Sequence, residues 1–144
     1  MECELPRVNS NQEEMKRYFQ EVRTIAVVGC SPKSDKASNR VAKYLLEAGY
    51  KMIPIYPKEE EILNQKVYRS LAEIEERVDM VVIFRKPAAL NAIADAVIAR
   101  GDVKVYWTQL QLINNEAAEK VKAAGISVVQ NYCAMVEHRA IFGK

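Results

Sequence analysis

Five short runs of aliphatic and β-branched residues, each closed by a polar turn and most followed by a helical pattern, leave this chain few possible folds. The runs are 24–29, 51–56, 79–84, 103–108 and 126–130. Met15, Tyr18, Phe19 and Val22 recur at helical spacing over 11–22, with Asn9, Ser10 and Asn11 as candidate N-caps and Glu13 and Glu14 in the first turn. Ser38 is placed to cap the next helix, which carries Val41, Tyr44, Leu45 and Ala48 on one face and stops at Gly49. Pro87 starts a third helix running through Leu90, Ala94 and Val97 to Gly101, and Asn114 or Asn115 caps a fourth that ends near Gly125. The stretch 57–78 is polar, with Glu59, Glu60 and Glu61 in a row and a short helix expected near 70–76, and 133–142 is expected to add a last turn of helix.

Strands that alternate with helices need right-handed crossovers, and these imply a parallel sheet covered on both faces. The expected architecture is a single α/β domain over 1–144, a Rossmann-like three-layer sandwich with a five-stranded, mainly parallel sheet and a loose lead-in at 1–9. Pro54 argues against a central position for the second strand, since proline has no amide hydrogen for the ladder.

Composition narrows the function classes. A net charge of +2, with cations scattered among acids, gives no case for nucleic acid. No apolar run approaches the roughly 20 residues that span a membrane. The charged N-terminus has no apolar core of a signal peptide, so a cytoplasmic setting is expected. Cys3, Cys30 and Cys133 have no metal-ligand spacing and are expected as free thiols.

In such sheets ligands bind beyond the carboxyl ends of the strands, where the strand order reverses. Five turns qualify. Gly29-Cys30-Ser31-Pro32 offers one glycine where a dinucleotide fingerprint has three, with Lys33, Lys36 and Arg40 around it and helix amides near Ser38. It reads as a phosphate turn or as a plain loop with a basic rim. Tyr56-Pro57-Lys58 stands where an NAD site carries an acid, so Lys58 suits an extra ribose phosphate, as in NADP or coenzyme A, unless it is a plain surface lysine. Phe84-Arg85-Lys86-Pro87 combines a flat apolar ring with two cations, either for a nucleotide or as core packing beside solvated charge. Trp107 ends an apolar strand and reads by default as core, whereas Gln109 is polar at the mouth of the sheet. Asn131-Tyr132-Cys133 is the fifth turn.

No catalytic constellation stands out. The single histidine, His138, sits beside Glu137 five residues after Cys133, a spacing that does not share one helix face, and it reads as a packing or capping group. Cys30 reads first as a small buried filler and second as a thiol activated by a helix N-terminus. No Walker, His-Glu-x-x-His or Gly-x-Ser-x-Gly pattern is present, and neither catalytic nor metal-ligating residues are assigned.

Taken in order, Ala26-Val27-Val28-Gly29-Cys30-Ser31-Pro32, Gly49-Tyr50, Pro57-Lys58, Val67-Tyr68-Arg69-Ser70-Leu71, Phe84-Arg85-Lys86-Pro87, Trp107-Thr108-Gln109 and Cys133…Glu137-His138 resemble the small stand-alone CoA-binding proteins. These are similar to the N-terminal domain of the succinyl-CoA synthetase alpha subunit. The resemblance implies that Gly29 to Pro32 hold the CoA phosphates, that Lys58 meets the adenosine-side phosphate and that Phe84 to Pro87 lie at the adenine end. It aligns Trp107 to Gln109 with the family's Trp-x-Gln. Cys30, Tyr56 and Tyr132 depart from the family's alanine, asparagine and arginine.

The synthetase's phosphohistidine belongs to a second domain, so the expectation is a non-catalytic module that binds CoA or an acyl-CoA. The alternatives are an NADP-linked oxidoreductase and a regulatory partner protein that has lost its ligand. The sequence identifies no protein partner.

Overall fold

In the computed structural model, which describes residues 5–143, the chain opens with α1 (Gln12–Glu21), β1 (Thr24–Val28), α2 (Ala37–Glu47) and β2 (Lys51–Ile55). A small hairpin, β3 (Glu61–Ile62) and β4 (Gln65–Lys66), and a 3-10 turn at Leu71–Glu73 lead to β5 (Met80–Ile83). Then come α3 (Leu90–Arg100), β6 (Val105–Thr108), α4 (Asn115–Ala123), β7 (Ser127–Val129) and α5 (Ala134–Phe142). Among the described residues the main sheet has five strands in the order β2-β1-β5-β6-β7, and every pairing is parallel. The fold is therefore Rossmann-like and doubly wound, and its order reverses between β1 and β5.

Strand alternation divides the core. Ile25, Val27, Met80, Val82, Val105 and Trp107 pack with Met15, Phe19, Val41 and Leu45 of α1 and α2. Ala26, Val28, Val81, Ile83 and Tyr106 pack with Leu90, Ala94, Val97, Ala117 and Val121 of α3 and α4. Both faces are covered, which is why the strands read as continuous apolar runs. Among the described residues no helix is long and apolar enough to cross a membrane.

Local chemistry explains most boundaries. Asn11 caps α1 in a capping box with Glu14, and Asn114 caps α4 by accepting from the Ala117 amide at 3.0 Å. Pro54 sits in an edge strand, as its missing amide requires. Its carbonyl accepts from the Tyr68 amide at 3.0 Å on the outer side, so its amide position also faces outward and costs no bond to β1.

Four expectations change. The lead-in at 1–9 is not loose where it is described: Arg7 N donates to Asn115 Oδ1 at 2.7 Å, Asn115 Nδ2 to the Leu5 carbonyl at 2.7 Å, and Gln130 Nε2 to the Val8 carbonyl at 3.0 Å. Residues 1–4, and with them Cys3, lie outside the described part. Ser38 does not cap α2: the N-cap is Lys36, and Ser38 turns back to accept from the Ser31 amide. The helix expected near 70–76 is a single 3-10 turn, preceded by a hairpin whose corner residues Leu63 and Asn64 have φ of 55° and 64°. No Asn-Gly pair marks that corner in the sequence. The expected last turn at 133–142 is a full helix.

Candidate functional site

The carboxyl ends of β1 and β5 close on one another at the reversal point. Gly29 has φ +85°, and a Cβ there would lie 2.5 Å from the Phe84 carbonyl oxygen and 3.2 Å from Arg85 Cδ. Only glycine fits that approach. The Gly29 and Cys30 amides both donate to the Ile55 carbonyl, at 2.9 and 3.1 Å, and Phe84 N donates to the Val28 carbonyl at 2.8 Å. Next along the chain, Ser31 N donates to Ser38 Oγ at 2.9 Å, Asn39 Nδ2 to the Ser31 carbonyl at 2.8 Å, and Lys33 N to Ser31 Oγ at 3.1 Å. The amides of Gly29, Cys30, Ser31 and Lys33 are thus engaged within the protein. The turn is a braced wall more than a ring of free donors. Pro32 and Lys33 are exposed on it, and Arg40 is tied to the Asp35 carbonyl at 2.6 Å. At the start of α2 the N-cap residue Lys36 makes no side-chain cap hydrogen bond.

Two clefts open beside this wall and meet at Phe84 and Arg85. One, of about 450 Å³, is lined by Val28, Gly29, Ile55, Tyr56, Pro57, Arg69, Phe84 and Arg85. The other, of about 420 Å³, is lined by Ala37, Val41, Phe84, Arg85, Lys86, Pro87, Gln109, Leu110, Leu112 and Cys133. The first mixes aromatic and cationic groups. The second is mostly apolar, with Gln109 as its buried polar member.

Of the two arginines lining the first cleft, Arg85 was a sequence candidate and Arg69 was not. Lys58 is exposed and lines neither cleft, whereas Arg69 does line the first, and its Nη1 donates to the carbonyls of Tyr56 at 3.0 Å and Lys58 at 2.9 Å. Arg69 thereby holds the end of β2 while its charge borders the cleft. A parallel bridge from Ile55 to Tyr68 brings it there across the hairpin. That bridge leaves no local signal in the sequence.

Two residues that the family resemblance aligns with the ligand site, Cys30 and Trp107, lie in the core, as their local sequence reading had it. Cys30 is fully buried, and burial pushes its thiol up to about 12, so it is inert packing. Trp107 is also fully buried, 5.2 Å from the Phe19 ring between centroids, and its indole N–H donates to the Tyr132 carbonyl at 2.8 Å. That bond ties it to the turn that bears Cys133.

His138 stands apart from both clefts. It packs edge-on against Phe19, Tyr44 and Tyr50, and its Nδ1 pairs with the Tyr44 hydroxyl at 2.8 Å. Burial holds its pKa below the ordinary 6.5. His138 and Cys133 border different cavities.

A doubly wound sheet opens its ligand cleft where the strand order reverses, and here a two-part cleft lies at that point. Residues 23–139 match the model of the CoA binding domain family, and the chain belongs to that family. It is 36% identical over 130 residues to the uncharacterized protein YneT of Bacillus subtilis, which covers 90% of this chain and 96% of that protein. The structure of a hypothetical protein from Pyrococcus horikoshii OT3 superposes with a TM-score of 0.90 at 37% identity, covering 99% of this chain and all of the other. The alpha subunit of an ADP-forming acetate–CoA ligase from Pyrococcus furiosus is 40% identical over 67 residues, which is 46% of this chain and 15% of that subunit.

Proposed function

We propose that the protein binds coenzyme A, free or acylated, as a non-catalytic binding module. The carrying observation is the pair of clefts of unlike chemistry that meet at Phe84 and Arg85. The nucleotide end suits the first, with Tyr56 and Phe84 for the base and Arg69 and Arg85 for phosphate. The pantetheine arm suits the second, which is lined by aliphatic side chains and one buried amide. Tyr56 and Arg69, rather than a carboxylate, stand at the end of β2, which favours a phosphorylated ribose over the free hydroxyls of NAD. The separation of His138 from Cys133 supports a binding role over a catalytic one. A reducing cytoplasmic setting goes with this reading, since Cys30 and Cys133 are both free thiols.

Titration calorimetry with CoA, dephospho-CoA and NADPH tests the proposal. CoA should bind, and dephospho-CoA should bind more weakly by about 1.5–3 kcal/mol, the range for one charged hydrogen bond. Absence of CoA binding, or equal binding of all three compounds, overturns it.

A further inference from the structure

We infer that Cys133 is a thiol–disulfide exchange site for the terminal thiol of the bound ligand, an inference that rests on the CoA reading above.

Two independent observations meet in the apolar cleft. Cys133 is a free, half-buried thiol on its wall. Gln109 lines the same cleft at 5% exposure, and its Nε2 has no hydrogen-bond partner among the described residues. A buried amide donor left without an acceptor is costly unless something supplies one. The carbonyl of an amide-bearing arm supplies it. A pantetheine arm anchored by its nucleotide at Arg69 and Arg85 has such amides along its length and a thiol at its end. One apolar cleft is thus lined both by the residue with the unpartnered amide and by the residue with the thiol.

The turn that carries Cys133 is fixed rather than loose. Asn131 N donates to the Thr108 carbonyl at 3.1 Å, Gln111 N to Asn131 Oδ1 at 2.7 Å, and the Trp107 indole to the Tyr132 carbonyl. These bonds tie the ends of β6 and β7 together, so Gln109 and Cys133 are held on a common frame. Cys30 provides the contrast, since it is sealed in the core next to the same wall.

The step is an exchange and needs no outside oxidant beyond the disulfide itself. The Cys133 thiolate attacks one sulfur of CoA disulfide. A protein–CoA sulfur–sulfur bond forms, the original one breaks, and one CoA leaves as thiolate and takes up the proton that Cys133 released. A reducing thiol reverses the step.

The test is to incubate the intact protein with CoA disulfide, follow intact mass and peptide maps, and run calorimetry with CoA on the same sample. The expected result is one reductant-reversible CoA adduct on the Cys133 peptide, absent in Cys133→Ser. Gln109→Leu should slow adduct formation about tenfold, the equivalent of one lost hydrogen bond. Glutathione disulfide, which has no nucleotide to anchor it, should react far more slowly. Binding of CoA without an adduct, an adduct on another cysteine, or an equally fast reaction with glutathione disulfide overturns the inference and leaves the CoA reading standing. Absence of CoA binding overturns both.

Discussion

The indole nitrogen of Trp107 donates to the backbone carbonyl of Tyr132 across 2.8 Å, joining a fully buried strand residue to the turn that ends in Cys133. One side chain thus belongs to the core and also sets the geometry of the apolar cleft. Trp107→Phe keeps most of the ring packing against Phe19 and removes the donor. Loss of a buried hydrogen bond with its acceptor left unpaired predicts a cost of about 1–3 kcal/mol in urea unfolding followed by circular dichroism. Hydrogen exchange should rise in 131–133. An unchanged midpoint and unchanged exchange would mean that the bond does not hold the turn.

Gly29→Ala should do more harm than its small size suggests. The new methyl would meet the Phe84 carbonyl at 2.5 Å on a backbone with φ +85°. Left-handed strain and overpacking together predict a loss of about 2–4 kcal/mol. Displacement of Phe84 would also disturb both clefts, so CoA affinity should fall with stability. Chemical denaturation and calorimetry on the same variant check this, and a variant with parental stability contradicts it.

Arg69 and Lys58 make opposite predictions for neighbouring cations. Arg69→Gln removes one of the two arginine charges bordering the first cleft and should weaken CoA about ten- to hundredfold, as expected for one charge-assisted contact. It should also reduce the preference for CoA over dephospho-CoA. Lys58→Gln, on an exposed side chain outside both clefts, should leave affinity nearly unchanged. Calorimetry that reverses this order would return the phosphate role to Lys58.

Asp79 ties the amino-terminal edge of the sheet together. Its Oδ2 accepts from the Arg23 and Thr24 amides at 2.9 and 3.1 Å, and its Oδ1 accepts from Arg77 Nε at 3.0 Å. Burial alone would raise its pKa, but the two amides and the guanidinium outweigh burial and hold it below the ordinary 3.8. A depressed carboxylate stabilises the fold fully above the unfolded value and loses that contribution as pH falls through the folded one. Asp79→Asn should therefore cost about 1.5–3 kcal/mol near neutrality. Its gap from the parent should close in acid below pH 3.8. Unfolding curves against pH that stay parallel would contradict this.

Much of the fold was legible because burial on both faces leaves continuous apolar runs, and all five emerged as strands. Pro54 even indicated an edge position. The site was legible in its turns but not in the direction of their side chains. Ile25 and Val27 face the α1–α2 layer, and alternation would send residue 30 the other way. The left-handed turn at Gly29 resets that parity and returns Cys30 to the same core, which no local pattern announces. Arg69 was passed over for a related reason. Its place at the cleft comes from a pairing across a hairpin, whereas Lys58 follows its strand directly in sequence. Trp107 was legible as core from its place at the end of an apolar strand, and it is fully buried.

The lacing of the first described residues has a further meaning. Asn9 reads the β7 side with its amide, accepting from Gln130 N at 2.8 Å and donating to the Gln130 carbonyl at 2.9 Å, and Ser10 Oγ donates to the Val128 carbonyl at 2.7 Å. At the opposite margin Tyr68 occupies the outer side of β2. Each flank of the sheet thus carries a guard against strand addition by another molecule. Trimming or fusing the front of the chain would uncover the β7 flank, and the first symptom would be self-association rather than loss of ligand.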